Sequence, residues 1–434
     1  EMSKFNWWAI CLTAGMGLGL TFYGVAEPMS HYMNPPLFTG FEPGSVQAAE
    51  TSLRYTFFHW TLHTYGIYVA AGICIGFFFY NCKKPFKVSS SLFPIIGDKI
   101  NGKLGTFVDT LAIFSILGGI ASSLGLGAMQ IGGGLNFLWN IPTSPLQWFF
   151  IILILTICFT ISSYTGLQKG IKFLSRTNIF LFIALLVFVL ALGPTVGILR
   201  QTITAVGDYL INLIPMALYV DPIINCGWSN SWTFYYWAFW LAYAPIVGLF
   251  LVRCAKGRTI KEFVTVNMLA PAAFCVLWFG VFGSAAIQLE HFGDAGIWES
   301  ITTGGIEVAL FALFKELPLY QISSFFGMIC AAISFITLSD SMTSTIASMT
   351  TLGFGETKEE TEPPVPMKIF WGCLMGLLSF VILISGGIGA IQSTVIICGL
   401  PILILLLFMV YSYIKAMNNL MEYDLINPEE AEAL

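Results

Sequence analysis

The chain is 434 residues long, 56% hydrophobic and 10% charged, with a net charge of −5 and a mean hydropathy of +0.80. Apolar runs of 18 or more residues recur throughout, which excludes a soluble globular chain and points to a polytopic helical membrane protein. Ten cysteines without a CxxC pair argue against a disulfide framework or a metal site.

Apolar runs and breakers divide the chain into ten spans, at about 5–24, 56–80, 107–130, 147–165, 178–196, 232–252, 267–287, 321–345, 368–387 and 391–414. The chain enters its first apolar run at once, and no cleavable signal is expected. With the amino terminus inside, the inner loops hold all the basic residues except Arg54, Arg200 and Lys315. This asymmetry predicts that both termini are cytoplasmic.

The first span carries AGMGLGL over Ala14–Leu20. Each glycine costs roughly 1 kcal/mol against alanine in a helix interior, so Gly15, Gly17 and Gly19 together favour unwinding by about 3 kcal/mol. Unwound backbone at membrane depth is tolerated where it lines a cavity or is buried in protein. Broken helices of this kind hold substrate and ions in secondary transporters. Gly15 and Gly19 equally make a GxxxG surface for close helix packing, and both readings stay open. Glu27 and Pro28 close the span, Glu27 reading as a structural acceptor rather than a proton carrier.

The second span opens FHWTLHTYGIYVAAG. On a helix turning about 100° per residue, Trp60, Tyr65 and Tyr68 share one broad face. His59 and His63 read as hydrogen-bonded structural groups, and four histidines in the chain suggest no ligand cluster. Ser115, Ser122 and Ser123 of the third span face a cation or bond their own backbone. Ile198–Val220 is too polar to span and reads as an amphipathic helix at the outer surface. Ile297–Leu317 is expected to lie there in the same way.

The sixth span is loaded with rings, WTFYYWAFWLAYAPIVG over Trp232–Gly248. Tyr236, Trp240 and Tyr243 fall on one face, with Trp237 at its shoulder. Such rings attract a quaternary ammonium group through their quadrupoles, worth about 0.5 to 2 kcal/mol each. Packing and interfacial belts are the other common use of membrane aromatics. The eighth span, AAISFITLSDSMTSTIAS, is rich in hydroxyls and includes Asp340, and such groups face the protein interior. Thr337, Ser341 and Ser344 share a face that offers oxygens to a hard cation or caps its own helix. No P-loop, HExxH or other catalytic motif is present, so no enzyme activity is expected. The spans divide five and five, each half opening with helix-weakening residues, as inverted repeats do.

GMGLGLTFYGVAEP, FHWTLH, SLGLGAMQIGGG and WTFYYWAFW followed by RCAKGRTIKEF closely resemble the betaine/choline/carnitine transporter family, over nearly the whole chain. The resemblance implies an all-α membrane protein with the leucine-transporter-like 5+5 inverted repeat, assembled as homotrimers in the plasma membrane. It implies one transporter domain over 1–434. The first repeat covers about 1–197, the surface helix about 198–220, the second repeat about 230–416, and a short acidic cytoplasmic tail 417–434. It also implies a start at the family's third helix, without the two that precede it.

By the same resemblance, the aromatic box maps onto Trp60, Tyr65, Tyr68 and Trp240. Family members often have tryptophan where Tyr65, Phe239 and Tyr243 stand here, and tyrosine keeps a π face. Trp237 and Tyr243 fall along the inner pathway, and Met16, Gly17 and Gly19 pass beside the substrate. Choline-transporting relatives tend to carry aspartate at the position of Gly19. Its absence favours a zwitterion such as glycine betaine. Sodium-coupled relatives use backbone carbonyls, here around Thr13 and Met16, and a Thr-Ser pair. Thr337 matches the threonine and Leu338 replaces the serine, with Ser334 or Ser341 as substitutes. Sodium-independent carnitine exchangers place an arginine where Asn178 stands, and Arg176 lies about 160° round the helix from it. The expectation is sodium-coupled uptake of glycine betaine, not gated by osmotic stress, with no cofactor beyond sodium and no nucleic-acid partner. The alternative is carnitine, γ-butyrobetaine or choline transport, by sodium-independent exchange or proton coupling.

Overall fold

The computed structural model describes residues 3–165, 172–351 and 363–425, with side chains described for all of these except 14–16 and 163–165. Half of the 417–434 tail, much of the last inner loop and the side chain of Met16 fall outside these limits. Among the described residues, eight helices are long and apolar enough to cross a membrane, or nine with the bent first helix. The chain is an all-helical, multi-span membrane protein.

Helix α1 (Lys4–Met33) starts at Ser3, whose hydroxyl accepts the Asn6 N–H at 3.3 Å. Its glycine-rich centre is a bend of 60° between Lys4–Thr13 and Gly17–Met33, with helical backbone carried through, where the sequence left unwinding and close helix packing both open. Neighbouring helices brace the outer arm. The Gln130 amide donates to the Thr21 carbonyl at 2.7 Å, and the Trp278 indole N–H to the Leu20 carbonyl at 2.7 Å. Tertiary contacts of this kind override weak intrinsic propensity.

Helices α2 (Val46–Trp60) and α3 (Leu62–Gly76) form one span, broken at Thr61 by a non-helical φ of −118° and ψ of −118°. Then come α4 (Lys103–Trp139), α5 (Pro145–Thr165) and α6 (Lys172–Leu192). Helix α7 (Thr195–Leu218) is amphipathic as expected, burying Ile198, Gln201, Ala205 and Tyr209 on one face. Helices α8 (Tyr235–Cys254) and α9 (Ala270–Gly293) follow. The expectation for Ile297–Leu317 needs correction. Its second half is α10 (Ala309–Lys315), and Ala309 to Phe314 are all buried, so this segment packs into the protein. Glu307, Lys315 and Glu316 only bracket that apolar core.

Helix α11 (Tyr320–Thr350) carries the hydroxyl-rich span, and α12 (Val365–Met417) is 53 residues long. At Gly386 and Gly387 the α12 backbone leaves the helix, with Gly387 at φ 56°, a conformation suited to glycine. The two arms of α12 are each long enough for a roughly 20-residue crossing, which accounts for the last two spans of the sequence reading.

Helix α1 packs against α9 and α11, α3 against α8, and α12 against both α4 and α8. The α8–α12 crossing depends on Gly399, where a Cβ would lie 2.6 Å from both Cα and O of Ala238. Backbone atoms cannot rotate away, so Gly399→Ala should force the helices apart at a cost of about 1 to 3 kcal/mol. A lower thermal unfolding midpoint in detergent is expected; an unchanged midpoint would show that the crossing yields freely.

Candidate functional site

The break at Thr61 shapes the centre of the molecule. The Thr61 hydroxyl donates to the Phe57 carbonyl at 2.6 Å, and the His59 carbonyl accepts the Thr64 hydroxyl at 2.6 Å. The same His59 carbonyl accepts the Trp240 indole N–H at 3.0 Å. Hydroxyls and an indole thus take carbonyls that a continuous helix would use, and the break is tied to α8.

Around this junction the rings converge. Trp60 meets Trp240 edge to face at 5.0 Å and 74°, and Tyr236 at 5.3 Å and 70°. Tyr236 and Trp240 stack at 5.7 Å and 14°. Tyr23 of α1 adds a third wall, 5.6 Å from both Trp60 and Tyr236. These rings, with Gly19, Phe239, Ser123 and neighbouring apolar residues, line a cavity of about 20 Å³, and among the described residues no Asp, Glu, Lys, Arg or His lines it. That is roughly the room for one water, so the walls must separate before a trimethylammonium group enters.

Of the residues expected at the site, Trp60, Trp240, Phe239 and Gly19 line this cavity. Tyr68 stands behind Trp240 at 6.3 Å, its buried hydroxyl without a hydrogen-bond partner among the described residues. Tyr65 is buried beside Cys275, O to Sγ 3.3 Å, away from the cavity wall. The break at Thr61 is the reason: face angles counted from Trp60 do not carry across it. Trp237 packs on Phe58 and His63, at 5.1 and 5.4 Å. Tyr243 stacks on Phe239 at 5.2 Å and donates to the Gly119 carbonyl at 2.8 Å, while its oxygen accepts from Ser123 at 2.6 Å. Tyr23 and Tyr235 were not anticipated, although Tyr23 lies four residues after Gly19 and so on the same helix face.

The residues considered for sodium sit where α1 meets α11. Thr13 donates to the Ala9 carbonyl at 2.8 Å and Thr337 to the Ile333 carbonyl at 2.7 Å, which leaves their oxygens free to accept or coordinate. Ser334 Oγ accepts the Asn178 amide at 2.8 Å and would lie 2.9 Å from a Cβ at Gly17. Ser339, Ser341 and Thr343 are buried, and among the described residues their hydroxyls have no hydrogen-bond partner. Asn178 is fully buried, whereas Arg176 is exposed with its guanidinium 5.7 Å from the Phe180 ring.

Behind the rings lies a polar cluster that sequence spacing did not announce. Glu27, His31 and His59 each offer a ligand atom within 4.8 Å of the others, a geometry that fits a metal ion. Glu27 Oε1 bonds His59 Nδ1 at 2.7 Å and His31 Nε2 at 3.2 Å. Glu27 Oε2 accepts the Tyr236 hydroxyl at 2.6 Å and the Trp60 indole N–H. The histidines do cluster, contrary to the sequence expectation, because His59 arrives from another helix. The donors they bring already satisfy the carboxylate.

A family description, BCCT, betaine/carnitine/choline family transporter, matches residues 1–422. The chain is 39% identical over 422 residues to glycine betaine transporter OpuD of Bacillus subtilis, covering 96% of this chain and 80% of that protein. It is 36% identical over 419 residues to a glycine betaine transporter of Acinetobacter baylyi, covering 96% of this chain and 62% of that protein. It is 32% identical over 435 residues to the osmo-independent choline transporter BetT1 of the same organism, covering 100% of this chain and 82% of that protein. The many-span helical fold, the ring-lined buried cavity and a match running through both place the chain in the betaine/carnitine/choline transporter family, a family of transporters and not of enzymes.

Proposed function

We propose that this transporter carries glycine betaine across the plasma membrane by alternating access, in a leucine-transporter-like 5+5 inverted repeat. The observation that carries the substrate class is the convergence of Trp60, Tyr236 and Trp240, from two helices, on one buried cavity. A trimethylammonium group has no N–H to donate, so stacked π faces in a dry pocket are the natural way to hold it. A lining without ionised groups suits a zwitterion that carries its own carboxylate, and glycine at position 19 agrees with that.

Coupling to sodium is part of the proposal. Thr13, Ser334 and Thr337 supply hydroxyl oxygens, with Met16 offering its backbone carbonyl, along the contact between α1 and α11. Ser341, four residues after Thr337 and so on the same face, adds a further buried hydroxyl oxygen there. Asn178 donates to Ser334, so the exchanger's arginine position is held by a neutral amide. Both termini cytoplasmic and a homotrimer complete the reading, the first from the basic residues and the second from the family resemblance.

The test is uptake into proteoliposomes of glycine betaine, carnitine and choline, each with and without an inward sodium gradient. Betaine uptake that needs the gradient is expected. Counterflow of carnitine without sodium would replace the symport reading by exchange, and a preference for choline would move the substrate.

A further inference from the structure

The rings of the site share one anion. We infer that Glu27 is a positioning residue that sets the site's selectivity for cations, gripping Trp60 and Tyr236 by their polar edges and placing a negative charge behind their π faces. The inference rests on the quaternary-ammonium reading above and deepens it.

Glu27 is fully buried and absent from the cavity wall. Its Oε2 accepts from the two rings that form the wall, Trp60 and Tyr236, and its Oε1 bonds the two histidines. An indole N–H can only donate. The second nitrogen of His59, Nε2, meets the Thr233 hydroxyl at 3.0 Å, and the tautomer with its proton on Nδ1, toward Glu27, lets the carboxylate accept while the hydroxyl donates to Nε2. Donors from α1, α2 and α8 therefore converge on one carboxylate, the arrangement that stabilises an ionised group.

Two effects follow at the cavity. An N–H or O–H that donates to an anion shifts electron density into its ring and strengthens the negative face. The charge itself also acts across the ring in a low-dielectric interior, where electrostatic terms are largest. A carboxylate in the cavity would favour amines with N–H groups to donate. Set behind the rings, it acts only as a field, and so selects for charge dressed in methyl groups. The same field orients a zwitterion, trimethylammonium toward Glu27 and carboxylate away. The backbone holds the group in place: the ring of Pro28 is pressed so close to α9 that a Cβ at Gly283 would lie 2.6 Å from its Cγ.

The test is competition against labelled glycine betaine on the whole protein, using unlabelled betaine and tert-butylacetate, in which carbon replaces the charged nitrogen at nearly equal shape. Glu27→Gln keeps an acceptor for both rings and removes the charge. The preference for betaine over tert-butylacetate should fall about tenfold, through weaker betaine binding. Tyr236→Phe keeps the ring, cuts one bond to the anion and should lower the preference about threefold. It serves equally if Glu27→Gln does not fold. Equal weakening of both competitors, or an unchanged ratio, overturns the inference, because the carboxylate would then only prop the rings. A parent protein that binds neither compound overturns the quaternary-ammonium reading itself, so the two failures are distinct.

Discussion

Truncating Trp240 to alanine should abolish measurable betaine binding. Trp240 is the ring on which three relations meet: it stacks on Tyr236, stands edge-on to Trp60, and donates its N–H to the His59 carbonyl at the α2–α3 break. Removing a buried tryptophan side chain costs about 3 to 5 kcal/mol in packing alone. The loss of one ring face takes about 0.5 to 2 kcal/mol from cation binding. Tyr236 and Trp60 would relax into the space left, so the second wall fails with the first. A rise in Kd of more than about 100-fold is expected by titration with labelled betaine. Trp240→Phe keeps an aromatic face and loses the bond to His59, and about a tenfold loss should follow. Affinity unchanged in Trp240→Ala would remove the residue from the site and move the search for the substrate elsewhere.

The spans were legible because lipid demands unbroken apolar length, and that demand is local in sequence. The aromatic load of α8 was legible for the same reason, and Trp60, Phe239 and Trp240 do meet at one cavity. The break at Thr61 was hidden, since it depends on which donor claims the His59 carbonyl, and Trp240 comes from 181 positions away. With the break unseen, a helical wheel put Trp60, Tyr65 and Tyr68 on one broad face, whereas Tyr65 stands beside the cavity and Tyr68 behind Trp240. The role of Glu27 was hidden in a similar way. Pro28 and the i, i+4 spacing to His31 were visible, but the partners that give the carboxylate its meaning, Trp60 and Tyr236, belong to α2 and α8. The bend of α1 was legible in its glycines, while bracing by Gln130 and Trp278, which keeps the chain helical through it, was not. What a single stretch can specify was readable; what needs two helices to agree was not.

Gly19 is the position at which the smallest chemical change should do the most harm. A Cβ there would lie 2.5 Å from Cη2 and 2.7 Å from Cζ3 of Trp60, well inside van der Waals contact. The indole cannot swing clear. Its N–H end is held by Glu27, and its faces and edges meet Trp240 at 5.0 Å, Phe279 at 5.0 Å and Tyr236 at 5.3 Å. A methyl group must therefore tilt the whole cluster, at about 1 to 3 kcal/mol, which corresponds to a loss in betaine affinity of about tenfold to 100-fold for Gly19→Ala. Gly19→Val, with two further methyls against the same ring, should leave no uptake. Gly17 offers the contrast within the same helix. Its Cβ would meet Ser334 Oγ at 2.9 Å and Ser334 Cβ at 3.2 Å; the hydroxyl can rotate, giving up its bond from Asn178, and the Cβ need give only a few tenths of an ångström. Gly17→Ala should therefore leave betaine affinity at saturating sodium within about threefold while raising the sodium concentration needed for half-maximal uptake. The two glycines thus face different neighbours from one bent helix, Gly19 toward the rings and Gly17 toward Ser334 of α11. If Gly19→Ala bound betaine as tightly as the parent protein, Trp60 would have to be mobile, and a pocket built on its fixed orientation could not stand.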